Sequence, residues 1–324
     1  MRLTQIEHSD LRIFEFDYDL TFMVFFIDAQ ENVLGRFGAR QGDNPDELQS
    51  LAGLRYAMQQ ALQLQRSRRA TPDSAEKPNH QPLRIRDLAA SHELRGCIHC
   101  HDVKETLRAD AQNKGTWKQS NLFRYPPTEN LGFSLNVDRG DEVTIVDAGT
   151  PAANVGLQVG DRIESLNGIR IRSIADAQYA LDKAPQQGRI RVRWKRTGQE
   201  LNSELMLPAN WRRSDISWRP SMQQHVGLPR LYGTDLTAEE RQELGLTATQ
   251  LAFRHREKIH RQALPSGVQP GDVILGFDDR KLDMDVYDFE KYVRRNYVAG
   301  DRVMINFIRD GKRMRLPMTI LRLY

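Results

Sequence analysis

The chain has 324 residues, more than one hydrophobic core comfortably organises, so two or three domains are expected. Lys and Arg exceed Asp and Glu by only 47 to 43, a dispersed excess that excludes the concentrated basic surface of a nucleic-acid-binding protein. The longest apolar run, "FMVFFI" from Phe22 to Ile27, falls far short of the roughly twenty residues that span a bilayer, so no membrane span is expected.

The opening "MRLTQIEHSDL" is interrupted by polar residues at once, unlike a signal peptide, which places the chain in the cytoplasm if Met1 is the true start. Residues 1–65 read as strands followed by a helix: "LRIFEFD", then "TFMVFFIDAQENVLGRFGAR" as a hairpin turning at Asp28–Asn32, then "SLAGLRYAMQQALQLQ". In the last, Leu51, Leu54, Ala57 or Met58, Ala61 and Leu62 recur at helical spacing behind a capping Ser50, so one face should pack on the hairpin. Residues 66–86 are polar, Pro-containing and aperiodic, and read as a linker.

Residues 87–116 hold the only two cysteines, in Cys97-Ile98-His99-Cys100-His101, followed by "DVKETLRADAQ". There Val103, Leu107 and Ala111 stand four apart and predict a short amphipathic helix beginning at the motif. Three chemistries fit the motif. Covalent haem c is the leading one, with Cys97 and Cys100 as thioether donors and His101 as the iron ligand. No methionine lies between His101 and the next unit, so the second axial position would fall to His80, His92, a more distant Met or water. A redox dithiol is the second reading, since a helix N-terminus and nearby histidines lower a thiol pKa. The third is a metal site adding His92 or His99, although zinc sites usually draw two ligand pairs from separated segments.

An internal repeat follows. "VGLQVGDRIESLNGIRI" (Val155–Ile171) aligns with "SGVQPGDVILGFDDRKL" (Ser266–Leu282), and "RIRVRWKRTG" aligns with "RVMINFIRDG". Alternating Arg189, Arg191, Arg193 and Lys195 against Ile190, Val192 and Trp194 gives a half-exposed strand. The copies occupy residues 117–208 and 222–324, joined by a linker at 209–221.

The first copy resembles a PDZ domain element by element, through "ENLGFSLNV", "VTIVDAGTPAANVGLQVGDRIESLNG" and "SIADAQYALDKA". The resemblance implies that Leu131-Gly132-Phe133 offers backbone N–H groups to a terminal carboxylate. A glycine there permits the close approach such a nest requires. It also implies that Ser134 and Leu135 pair with a guest strand, while Ile174 and Gln178, first and fifth on the groove helix, sort its side chains. An apolar Ile174 should favour an apolar guest residue over Ser or Thr. The alternative is a groove filled by the chain itself. In the second copy, Leu244-Gly245-Leu246 either repeats this turn or ends the helix "TAEERQELGL", which Thr237 and Glu240 can cap. The helix end is favoured, making that copy a packing or dimerising module. Tandem PDZ domains also occur in HtrA-type proteases, but no Gly-x-Ser-x-Gly and no room for a double-barrel protease are present.

Residues 1–65 resemble the C-terminal half of a thioredoxin-like domain, without its Cys-x-x-Cys or its cis-proline. The whole order is similar to a bacterial family of thioredoxin-like/PDZ proteins, some of whose members carry selenocysteine. That resemblance implies an envelope or periplasmic location and a polypeptide starting upstream of Met1. The expected fold is therefore a multidomain α+β chain: a partial thioredoxin-like α/β unit, a short helical Cys-x-x-Cys-His segment and two PDZ-like β-barrels. The expected function is a redox and scaffold protein that recruits a partner's C-terminal peptide or exposed β-strand and exchanges electrons with a redox partner. A pure peptide-binding module is the answer of a different class.

Overall fold

The computed structural model describes residues 6–70, 81–88, 98–256 and 267–322, with the backbone alone for 68–70. The chain divides into two compact units, Met1–Ser214 and Asp215–Tyr324. The division falls inside the expected 209–221 linker, and the first unit takes in the hairpin, the Cys-containing segment and the first repeat together.

In the first unit β1 (Val24–Ile27) and β2 (Val33–Phe37) form the expected antiparallel hairpin, with Val24 opposite Phe37. Asp28 closes its turn by accepting the N–H groups of Gln30 and Asn32 at 3.0 and 2.9 Å. Helix α1 (Leu51–Ala70) starts where Ser50 Oγ accepts the Gly53 N–H at 2.9 Å. It runs five residues into the stretch read as linker, because the first proline able to stop it is Pro72. Its buried stripe differs from the expected one. Gly53, Ala57 and Ala61 face inward, whereas Leu51, Met58 and Leu62 are exposed. The helix approaches its neighbour too closely for larger residues: a Cβ on Gly53 would lie 2.3 Å from the Val137 carbonyl oxygen.

Helix α2 (Cys100–Asn113) begins at Cys100, and the N–H of His99, its N-cap, donates to Asp102 Oδ2 at 2.7 Å. Its buried residues are Val103, Lys104, Thr106 and Asp110, so of the expected Val103–Leu107–Ala111 stripe only Val103 is fully enclosed. Lys104 turns the helix. Its buried ammonium sits 3.0 Å from Asp17 and 2.6 Å from Asp19, the pairing that a charge out of water requires.

The repeat region opens with β3 (Phe133–Leu135) paired to β4 (Val143–Val146). After a short α3 (Pro151–Asn154) come β5 (Arg162–Leu166), β6 (Ile169–Arg170), α4 (Ile174–Asp182), β7 (Gly188–Arg196) and β8 (Gln199–Leu207). The second sheet has the order β6-β5-β7-β8. As its alternation predicts, β7 turns Ile190, Val192 and Trp194 inward, into a core with Leu131, Phe133, Ile163, Leu166 and Leu181. No closed barrel forms among the described residues, contrary to the PDZ-like barrels expected. Among the described residues the strand pairing between the two sheets is one isolated bridge, Glu142 to Arg162, so edges stay open.

The second unit contains β9 (Gly227–Leu228), β10 (Gly233–Asp235), α5 (Ala238–Glu243), β11 (Phe253–His255), β12 (Val273–Phe277), α6 (Val286–Asn296), β13 (Arg302–Arg309), β14 (Lys312–Thr319) and β15 (Leu321–Arg322). Strands β10 to β14 form one sheet in chain order, and β15 returns to pair with β9. Leu244-Gly245-Leu246 ends α5: Gly245 takes φ +64° and its N–H bonds to the Gln242 carbonyl at 3.1 Å.

The repeat has a physical basis that both copies share. Asp161 is buried and accepts Arg196 Nε at 2.7 Å, the second Arg196 nitrogen at 2.8 Å and the Gln158 N–H at 2.8 Å. Asp272 does the same with Arg309 at 2.8 and 2.8 Å and with the Gln269 N–H at 2.7 Å. Each arginine also reaches a glycine carbonyl, Gly156 at 2.7 Å or Gly267 at 2.9 Å. Bidentate arginine on a carboxylate fixes geometry as well as energy, and removing one partner strands a buried charge or donor. Asp161→Asn should therefore raise hydrogen exchange throughout β4, β5 and β7 while leaving β11–β13 protected. Asp272→Asn should do the converse. Exchange spreading through both units from either substitution would show that the latches are not local.

Candidate functional site

The site is the groove between β3 and α4. A turn of 3-10 helix, Thr128–Leu131, ends at Gly132, which takes φ +87°. Its N–H bonds to the Glu129 carbonyl and its own carbonyl accepts the Asp147 N–H, at 3.0 and 2.9 Å. Glycine is required for a reason the anion-nest argument does not contain: a Cβ would lie 2.1 Å from Thr150 Oγ1. Leu131, Phe133 and Leu135 bury their side chains, and Ser134 is half-buried.

Backbone direction follows from the ladder. Gly132 and Asn136 bond toward the β4 side, through Asp147 and Glu142, and Ser134 lies opposite Ile145. Alternation then turns the amides and carbonyls of Phe133 and Leu135 away from β4. No second strand pairs with β3 among the described residues, so this edge can accept a guest strand.

Helix α4 supplies the other wall. Ser173 caps it, accepting the Asp176 N–H at 3.0 Å. Ile174 and Gln178, the expected sorting positions, are both buried, 8% and 4% exposed. They are covered by the chain's own residues: Gln178 Nε2 donates to the Arg40 carbonyl at 3.3 Å, and Ala39 belongs to the same apolar core as Ile174 and Phe133. Reading the sequence locally missed Arg36, Ala39 and Arg40 as groove residues, because nothing near them in the chain marks a contact with α4.

On the outer side of α4, Asp176 faces Arg36 at 3.5 Å, and the Arg36 guanidinium lies 3.5 Å above the Tyr179 ring. Asp176 Oδ2 is buried with no hydrogen-bond partner. Burial pushes its carboxyl up to about 6 against the pull of Arg36 and Arg172. At the far end Asp182 holds Arg124 Nε at 2.6 Å and the Tyr125 N–H at 3.1 Å, anchoring the segment that leads into the turn.

The second unit has its own counterpart of the turn, at a place the sequence reading did not assign. His255 occupies the position of Val143. Its N–H donates to the Asp272 carbonyl and its carbonyl accepts from Gly271, at 2.8 and 2.9 Å, as Val143 does with Asp161 and Gly160, at 2.8 and 2.8 Å. Leu135 lies opposite Val143, and Gly233 lies opposite His255. Counting back places Pro229-Arg230-Leu231 where the first copy has Leu131-Gly132-Phe133. Arg230 takes φ +53°, the left-handed conformation of Gly132, while Pro229 brings no N–H to a nest.

At the cysteine motif, Cys97 lies outside the described residues, as do His80 and His92. Burial first, then Asp102, push the Cys100 thiol up, the opposite of the shift expected at a helix start. His101 is exposed, stacked on the His99 ring with centroids 5.7 Å apart. The buried side of α2 carries Lys104 between Asp17 and Asp19, not an apolar bed. With Cys97 outside them, the described residues hold one of the two thioether donors a haem would need, and none of them groups three His, Cys, Asp or Glu side chains for a metal ion.

Residues 142–196 match the family model of the PDZ domain, so the first repeat is a PDZ domain. A probable periplasmic serine endoprotease DegP-like of Hahella chejuensis is 28% identical over 185 residues, 55% of this chain and 38% of that protein. The periplasmic pH-dependent serine endoprotease DegQ of Escherichia coli is 28% identical over 183 residues, 56% of this chain and 36% of that protein. The chain thus spans less than two fifths of the length of these relatives. Among solved structures, the HtrA-type protease AlgW with a decapeptide is 18% identical, over 42% of this chain and 50% of that one, with a TM-score of 0.26. An overall superposition at that score carries no argument.

Two outcomes are expected from these titrations. The Asp176 contribution to stability is fully present below about 4 and is lost as pH rises through about 6, because the folded state holds the proton more tightly. Thermal melts at pH 5 and 7 should differ more in this sense for the parent chain than for Asp176→Asn. In a Cys97→Ala background, Cys100 should react with iodoacetamide at neutral pH more slowly than after denaturation. A faster reaction in the folded chain would restore the activated thiol.

Proposed function

We propose that this chain recruits proteins in the bacterial envelope by binding their C-terminal peptides, or an exposed strand, in the groove of its PDZ domain. The observation that carries the reading is the left-handed Gly132 turn running directly into an edge strand, β3, that has no second partner strand among the described residues. Leu131, Gly132 and Phe133 form the carboxylate turn. Ser134 and Leu135 carry the guest strand by β-augmentation, and Ile174 and Gln178 sort its side chains. The periplasmic naming of both relatives supports the envelope location. The second unit fits a packing role better, because Pro229 removes a donor from its turn and Arg230 is tied to the Arg322 carbonyl at 3.2 Å. Recruitment is proposed and proteolysis is not, since the sequence holds no Gly-x-Ser-x-Gly motif.

A fluorescein-labelled decapeptide ending Val-Ala-Leu with a free carboxylate should bind the full chain, and its amidated counterpart should bind at least tenfold more weakly. Ile174→His should shift the preference two residues from the end toward Ser or Thr, a hydroxyl that imidazole can bond. Equal binding of free and amidated peptides would remove the carboxylate turn from the mechanism.

A further inference from the structure

We infer that the PDZ groove is closed in cis: residues 36–40, leaving the hairpin, lie over the sorting positions of α4 and must move before a peptide longer than its terminal residue can enter. The inference rests on the peptide-binding reading of the groove.

Five contacts along α4 hold the segment, the first two on the outer side of the helix. The Arg36 guanidinium pairs with Asp176 and stacks on Tyr179, both at 3.5 Å. The Arg36 carbonyl accepts the Ser173 hydroxyl at 2.5 Å, which ties the segment to the helix cap. Ala39, 1% exposed, joins the core beside Ile174. Gln178 spends an amide hydrogen on the Arg40 carbonyl, a bond to main chain of the kind a guest strand would also offer.

Helix α1 holds the segment down from its other end. Ser50 Oγ reaches Asp138 at 2.6 Å, Tyr56 donates to Asp141 at 2.9 Å, and Gly53 packs on the Val137 carbonyl. All three acceptors belong to the loop between β3 and β4. The segment is thus tied to α4 directly, and the helix that follows it is tied to the β3–β4 loop at the end far from Gly132.

The segment does not satisfy the groove in full. It covers the side-chain positions but forms no strand with β3, and the backbone edge at Phe133 and Leu135 is left without a strand partner among the described residues. A peptide gains that ladder, while the segment offers side-chain contacts and two main-chain carbonyls, to Ser173 and Gln178. Competition between them is thus built from different interactions, which allows a ligand to win without an identical replacement.

Two substitutions should open the groove without changing Leu131, Gly132, Phe133, Ser134, Leu135, Ile174 or Gln178. Arg36→Glu sets a like charge against Asp176, and Gly53→Leu drives α1 off the Val137 carbonyl. Opening is read independently as faster tryptic cleavage after Arg40. Both variants should then bind the Val-Ala-Leu decapeptide at least tenfold more tightly than the parent chain. Faster cleavage with unchanged affinity would overturn closure while leaving peptide binding intact. Cleavage as slow as in the parent, in both variants, would show that these contacts do not hold the segment and would also overturn it. Failure of every opened form to bind would overturn closure together with the peptide-binding reading.

Discussion

A carboxylate that water does not reach, Asp161, organises the PDZ domain. Its oxygens are spent on Arg196 and on the Gln158 N–H, its own N–H bonds to the Gln158 carbonyl at 3.1 Å, and its carbonyl accepts the N–H of Val143. One residue therefore fixes the loop before β5, the end of β7 and the start of β4. Because β4 is the one strand paired with β3 among the described residues, the Gly132 turn takes its position from β4 and, through Val143, from Asp161. The cost of burying the charges is offset only because nearly every lone pair and donor has a partner. This explains why both copies keep the same aspartate, arginine and glycines while their surfaces diverge.

Helix α4 is shared between two packing partners, and this sharing distinguishes the domain from a free-standing one. Its inner side, with Ala177, Ala180 and Leu181, belongs to the PDZ core. Its outer side, with Asp176 and Tyr179, belongs to Arg36. Asp176 is poorly suited to a buried place: one oxygen has no partner and burial outweighs the attraction of Arg36. On a helix free of the hairpin it would be an ordinary solvated residue. The contact between hairpin and helix therefore encloses a carboxylate whose second oxygen has no hydrogen-bond partner.

How much was legible in the sequence follows from the range of the interactions. The hairpin turn at Asp28, the Ser50 cap and the alternation of β7 are local, and each was readable from neighbouring residues. The repeat was readable because left-handed glycines and a buried ion pair tolerate few replacements. The buried face of α1 was not, since Gly53, Ala57 and Ala61 pack by being small while the larger apolar residues point to solvent. Arg36 and Asp176 are 140 residues apart, and no periodicity connects them. The turn of the second unit escaped because Arg230 takes a left-handed conformation without the glycine that signals one.

That last difference separates the backbone chemistry of the two turns. Both have the latch, the groove helix and an edge strand, β3 in one and β10 in the other. A nest for a carboxylate needs successive N–H groups pointing one way, and a proline in the first of its positions deletes one of them. Arg230 then directs its side chain to the carbonyl of Arg322, in the strand that pairs with β9. The second turn is thereby committed to holding its own chain together, whereas the first takes the same left-handed conformation at a glycine packed against Thr150. The second turn is closed by a contact to its own chain, and the first runs into an edge strand that has no second partner strand among the described residues.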